Sequence, residues 1–120
     1  MANISLYRSL FSFDKKEIDW AFENAKLVAK TRGLKILQAP GLFFQDKKSN
    51  NIAQSGKLLI VVPRLAGKAN QRNLMKRRIK AIFYENKLYE NGATSIVLVR
   101  REAMELSFEQ LQDFLVSSLR

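Results

Sequence analysis

The chain has 120 residues, 47% of them hydrophobic, with 21 Lys and Arg against 11 Asp and Glu and a net charge of +10. That length fits one domain over 1–120, and that apolar content excludes a disordered chain. There is no Cys and no His, which excludes disulfides, thiolate metal sites, Ser-His-Asp and Cys-His nucleophiles and His-based zinc sites, leaving only carboxylates or Lys for any catalysis by the chain alone. No stretch approaches the ~20 apolar residues of a membrane span, and Met1–Leu10 lacks the charged-then-apolar order of a secretory signal. The expected location is cytoplasmic, with no membrane partner and no obligate protein partner evident.

In chain order, residues 1–12 are apolar and hydroxyl-rich without a clear period, which predicts an irregular lead-in. Asp14 and Glu17 have capping-box spacing, with Phe13 placed to staple the helix start. A helix is predicted from about Lys15 to Lys30, with Ile18, Ala21, Phe22, Ala25 and Val28 on one face and Gly33 as its stop. Leu34–Leu37 and Leu42–Gln45 read as short strands around a Pro40-Gly41 turn. Residues 46–56 read as a polar loop. Lys57–Val62 (KLLIVV) is a nearly continuous apolar run, predicting a strand covered on both faces and ended by Pro63.

The stretch Arg64–Lys80 holds seven basic residues and no acid. Arg64, Lys68, Arg72, Lys76 and Lys80 are spaced by four, which places them on successive turns of a helix as a slowly winding band. Met75, Ile79, Ile82 and Phe83 form an i, i+4, i+7, i+8 set that seeks a core. The predicted helix, from about Lys68 to Leu88, therefore has one apolar side and one basic side. After an Asn91-Gly92 turn, Ser95–Val99 reads as a second buried strand leading into Arg100 and Arg101. Ser107 and Gln110 form a capping box for a last helix, about Phe108–Leu119, with Phe108, Leu111, Phe114, Leu115 and Val116 as core positions. Strand, long helix, strand makes a βαβ unit and an α/β fold.

Charge placement matters more than its size. No acid occurs between Asp46 and Glu85, where ten basic residues fall, and the rest of the chain balances 11 against 11. That is the footprint of a polyanion partner. Arg supplies a planar fork for phosphate and Lys a point charge, and Asn73 adds a donor and an acceptor. The acids Glu102, Glu105, Glu109 and Asp113 read as a solvated helix face.

The segment GKANQRNLMKRRIKAIF resembles the hallmark helix of the bacterial ribonuclease P protein subunit. Gly67, Ala69, Arg72, Asn73, Lys76, Arg77, Lys80 and Phe83 fill the family's pattern. The flanking strands, Arg100, and the Leu106-Ser107-Phe108-Glu109 start of the last helix agree with it. The chain departs at Leu74, where a basic residue is usual, at Pro63-Arg64, and at Ile18, where an aromatic is frequent.

The resemblance implies a two-layer α/β (α+β) sandwich with a small central sheet, the order αβββαβα, and a left-handed βαβ crossover. Pattern reasoning alone gives the right-handed connection. It implies a subunit of ribonuclease P that binds the catalytic RNA through Arg64, Lys68, Arg72, Asn73, Lys76, Arg77 and Lys80, contacting backbone phosphates without reading sequence. The RNA, not this chain, would cleave the 5′ leader from precursor tRNA; the chain alone would bind no cofactor, and Mg²⁺ would act in the holoenzyme. Phe22 matches one position of a groove for the single-stranded leader, with Phe44, or Ile36 in another register, as the second; both aromatics also suit a plain core role. The alternative is a non-enzymatic basic RNA-binding protein of ribosomal or RNA-chaperone type. A membrane- or calmodulin-binding amphipathic helix is disfavoured, since the apolar side is needed by the sheet.

Overall fold

The computed structural model describes residues 4–39, 44–45, 52–53 and 56–119. Among these, the helices are α1 (Ile4–Phe11), α2 (Lys15–Asn24), α3 (Ala69–Glu85) and α4 (Phe108–Leu119). The strands are β1 (Lys26–Lys30), β2 (Leu34–Ala39), β3 (Phe44–Gln45), β4 (Ile52–Ala53), β5 (Leu58–Val61) and β6 (Thr94–Val99). One sheet has the order β1-β2-β6-β5, and β3 and β4 form a separate antiparallel pair. β2 runs antiparallel to β1 and β6, while β5 and β6 are parallel neighbours. Setting aside α1 and the β3–β4 pair, the order is the expected αβββαβα.

Strand alternation sorts the sheet into two unlike faces. On one, Leu34, Ile36, Leu58, Val97 and Val99 meet Met75, Ile79, Ile82 and Phe83 of α3, Leu111, Leu115 and Leu119 of α4, and Leu10 of α1. Each such fully buried large side chain contributes about 1.5–3 kcal/mol. Ser95 is buried on this face and accepts from Gln38 Nε2 at 3.4 Å. On the other face α2 gives partial cover, burying Ala21, while Leu37, Leu59, Val61 and Leu98 stay half-exposed. The expectation that β5 is covered on both sides therefore holds on one side only.

The crossover's hand follows from the register. Ser95 N–H donates to the Lys57 carbonyl at 2.8 Å, across the β5–β6 seam. Lys57 turns its side chain away from the α3 face, toward Glu17 of α2. For L-residues this puts β6 to the right of β5 when the sheet is viewed from the α2 side with β5 running upward. Since α3 crosses on the far side, the connection is left-handed, against the usual preference.

Several expectations need correction. Residues 4–11 are helical because Tyr7, Leu10 and Phe11, at i, i+3 and i+4, land on an aromatic cluster: Tyr7 packs edge-on to Tyr84 at 5.2 Å and Phe11 to Phe83 at 5.8 Å. The capping box at Asp14 and Glu17 forms as expected, but α2 ends at Asn24, whose side chain donates to the Trp20 carbonyl. Ala25 is extended, and residues 26–30 pair with β2 as a strand. Gly33 is no helix stop. It sits between β1 and β2 where a Cβ would lie 2.2 Å from the Ala103 backbone nitrogen, so only a hydrogen fits. The Ser107–Gln110 box forms, yet Phe108 is exposed rather than core. The Pro40-Gly41 turn and most of the 46–56 loop lie outside the described residues.

Candidate nucleic-acid interface

The polar side of α3 is built by the same spacing that fills its apolar side. Lys68 is the N-cap residue, extended at ψ 158°, and its N–H donates to the Gln71 side chain at 3.0 Å. Arg64 lies one short turn earlier, in the 3-10 turn Arg64–Ala66. From there Arg72, Lys76 and Lys80 rise along one flank at ~100° per residue, with Asn73 and Arg77 beside them facing outward. Arg78 falls on the opposite flank. Lys68, Asn73 and Arg77 are exposed; Arg72, Lys76 and Lys80 are half-buried.

Two of these side chains also have partners within the protein. Arg72 Nε donates to the Gly67 carbonyl at 3.1 Å, which ties the turn ahead of α3 to its first helical turns. Lys80 Nζ stands 5.6 Å over the Phe11 ring of α1, so α1 borders the basic flank at its C-terminal half. Among the described residues none of the basic residues from Arg64 to Lys80 has a carboxylate within ion-pair distance. Seven like charges without counter-charges make a strongly positive surface, which an external polyanion can neutralise.

The second predicted surface is on the other face of the sheet. Phe22 is 45% exposed, which rules out the plain core role. Cross-strand register places Leu27, Leu37, Ile96 and Leu59 in one row, and Lys30, Lys35, Leu98 and Val61 in the next. Lys30 is exposed and Lys35 half-buried. An exposed aromatic, a partly open apolar floor and two ammonium groups thus share one face, the combination that suits a single strand of nucleic acid. Lys30 was missed by sequence reasoning because a helix drawn through residue 30 hides its alternation with apolar neighbours; Lys35 lay inside an expected strand, but only the pairing with Lys30 groups the two ammonium ions.

Other candidates resolve differently. Ile36 is fully buried on the α3 side and offers no ring-stacking surface. Phe44 pairs with Ala53 in the separate β3–β4 ladder, not in the main sheet, and its side chain lies outside the described residues. Lys57, 8% exposed at its side chain, pairs with Glu17 at 2.7 Å and stands 4.8 Å over the Phe13 ring, clasping the start of α2 to β5. Among the described residues no three acidic side chains gather where they could hold a metal, and no helix is long and apolar enough to cross a membrane.

The family model for ribonuclease P matches residues 13–120. The chain belongs to the bacterial ribonuclease P protein family. A ribonuclease P protein component from Helicobacter hepaticus is 39% identical over 75 residues, 62% of this chain and 50% of that relative. The chain thus matches about half the length of this relative. Among solved structures, a mutant Staphylococcus aureus RNase P protein superimposes with a TM-score of 0.73 at 18% identity, covering 98% of this chain and 95% of that one. The Thermotoga maritima RNase P protein gives 0.70 at 22% identity, covering 91% and 94%. At such identities these likenesses show the fold shared with ribonuclease P proteins.

Proposed function

We propose that this chain is the protein subunit of ribonuclease P, binding the catalytic RNA along α3 and the 5′ leader of precursor tRNA on the α2 side of the sheet. The observation that carries the reading is the cation band of α3, which has no carboxylate partner among the described residues, in a chain of this family. A rigid helix anchored by Met75, Ile79, Ile82 and Phe83 presents Arg72, Asn73, Lys76, Arg77 and Lys80, with Arg64 and Lys68 ahead of them, at fixed spacing to the phosphates of a folded RNA. Contacts of this kind position without reading sequence, and each phosphate neutralised releases counterions.

The band and the Phe22 surface lie on opposite sides of the sheet. One molecule can therefore hold two RNA segments at once, with the leader's phosphates near Lys30 and Lys35 and a base against Phe22. The chain's part in catalysis is positioning and charge neutralisation; hydrolysis of the phosphodiester, assisted by Mg²⁺, falls to the RNA, in the cytoplasm. The test is reconstitution. Adding the chain to a bacterial ribonuclease P RNA raises precursor-tRNA cleavage at low Mg²⁺. Tight RNA binding without such rescue would instead indicate an RNA-binding protein outside the processing reaction.

A further inference from the structure

Helix α2 carries Phe22 yet is fastened to the sheet by little apolar packing. Of its ten residues only Ala21 is buried, and the floor of that face, Leu37, Leu59, Val61 and Leu98, stays half-exposed. Tertiary packing of an apolar face is what usually holds a helix in place. A helix with so small a buried face can roll over the sheet unless something else stops it.

The stop is at its first turn. Lys57 Nζ donates to Glu17 Oε2 at 2.7 Å and lies 4.8 Å over the Phe13 ring. Both ends of this contact are fixed. The Lys57 carbonyl accepts from Ser95 N–H at 2.8 Å, across the seam to β6, so the lysine starts from the sheet itself. By strand alternation its side chain shares a face with Leu59 and Val61, at one end of the floor. Glu17 uses its other oxygen on the helix: Oε1 accepts from Asp14 N–H at 3.4 Å, while Asp14 Oδ1 accepts from Glu17 N–H at 2.7 Å. One carboxylate thus closes the capping box and ties α2 to the residue that opens β5.

From Glu17, Ala21 lies one turn on along the same face, and Phe22 lies about 140° around and about 7.5 Å along the axis. Holding Glu17 and Ala21 therefore sets the direction of Phe22. A roll of about 20° would carry a ring about 6 Å from the axis sideways by about 2 Å, whereas a binding group needs placing to about 0.5 Å. A directional ion pair resists such a roll; an apolar contact of the same size slides. A buried pair adds little stability over apolar side chains of similar volume, so geometry is the better reason for it here. We infer that Lys57 and Glu17 are positioning residues for the leader, fixing the roll of α2 and with it the angle at which Phe22 meets a leader base. The inference rests on the leader-binding reading of this face and adds to it two residues that touch no RNA.

The test uses the full chain reconstituted with a bacterial ribonuclease P RNA and compares affinity for leader-bearing precursor tRNA with affinity for mature tRNA. Lys57→Met/Glu17→Leu replaces the pair with apolar side chains, which keeps the melting temperature near the wild-type value. It lowers the preference for the leader about fivefold, the low end of one base–aromatic stack, and leaves binding of mature tRNA and of the catalytic RNA unchanged. Glu17→Asp, a milder change, keeps both charges but shortens the arm, and lowers the preference about twofold with the fold intact. Trp20, the chain's one tryptophan, lies on α2 and becomes more open to acrylamide quenching in both variants. Because the pair acts through Phe22, breaking it in a Phe22→Ala background lowers the preference no further. A leader preference kept by both clasp variants, or a full further loss in the Phe22→Ala background, overturns the positioning role. No leader preference in the wild type, or none lost in Phe22→Ala, is instead a failure of the leader reading, and the inference falls with it.

Discussion

Replacing Lys57 with Met leaves the Glu17 carboxylate facing a largely dry contact. The two side chains are 8% and 17% exposed and 2.7 Å apart, and the ammonium also lies over Phe13. Exposed ion pairs contribute about 0–1 kcal/mol, whereas removing one partner of a buried pair costs about 3–5 kcal/mol. With Glu17 partly hydrated, the structure favours about 2–3 kcal/mol for Lys57→Met, or roughly a 10 °C lower melting temperature for a domain of this size. Glu17→Gln in the same background removes the stranded charge and restores about half of the loss. Urea denaturation of the wild type, both single variants and the double variant gives the coupling directly. A coupling below about 0.5 kcal/mol would place this contact with ordinary surface pairs and refute the idea that it clasps α2 to the sheet.

Gly33→Ala drives a methyl group into the Ala103 backbone and is expected to destabilise by at least about 1–3 kcal/mol, read as a lowered denaturation midpoint. Phe22→Ala removes a side chain that is 45% exposed. Stability falls by less than about 1 kcal/mol, while affinity for leader-bearing precursor tRNA falls by about 1–3 kcal/mol and affinity for mature tRNA holds. Equal losses on both RNAs would remove Phe22 from leader binding.

The parts of this fold that were legible in the sequence are those whose pattern does not depend on distant partners. The apolar set Met75, Ile79, Ile82 and Phe83 could only be a helix face, and the runs at 58–61 and 95–99 were too short and too apolar for anything but strands. The capping boxes at Asp14 and Ser107 were local chemistry and formed as written. What was missed needed tertiary context. Residues 26–30 carry Ala and Lys, good helix formers, and Ala25 and Val28 extended the stripe of α2; the pairing with β2 overrode that propensity. α1 exists because Tyr84 and Tyr89, stacked at 6.1 Å, and Phe83 lie nearby to receive it, which a window of eight residues cannot reveal.

The site divides the same way. The band of α3 was legible because four-residue spacing fixes a helix face without further information. Arg101 was not, because its place beside Lys68 depends on Ala103 closing against Gly33. Arg72 proved to have a second duty: its bond to the Gly67 carbonyl means that its removal would disturb the turn before α3 as well as the surface. Lys76 and Arg77 make no such bond among the described residues and are the cleaner probes.

The most direct measurement is therefore the salt dependence of binding to a bacterial ribonuclease P RNA, for the wild type and for Lys76→Ala/Arg77→Ala. With each charge meeting a phosphate, the variant's log–log slope is shallower by about 1.5–2 and its affinity is lower at every salt concentration, with the melting temperature unchanged. A variant whose slope and affinity both match the wild type would contradict the assignment of α3 as the RNA-binding helix.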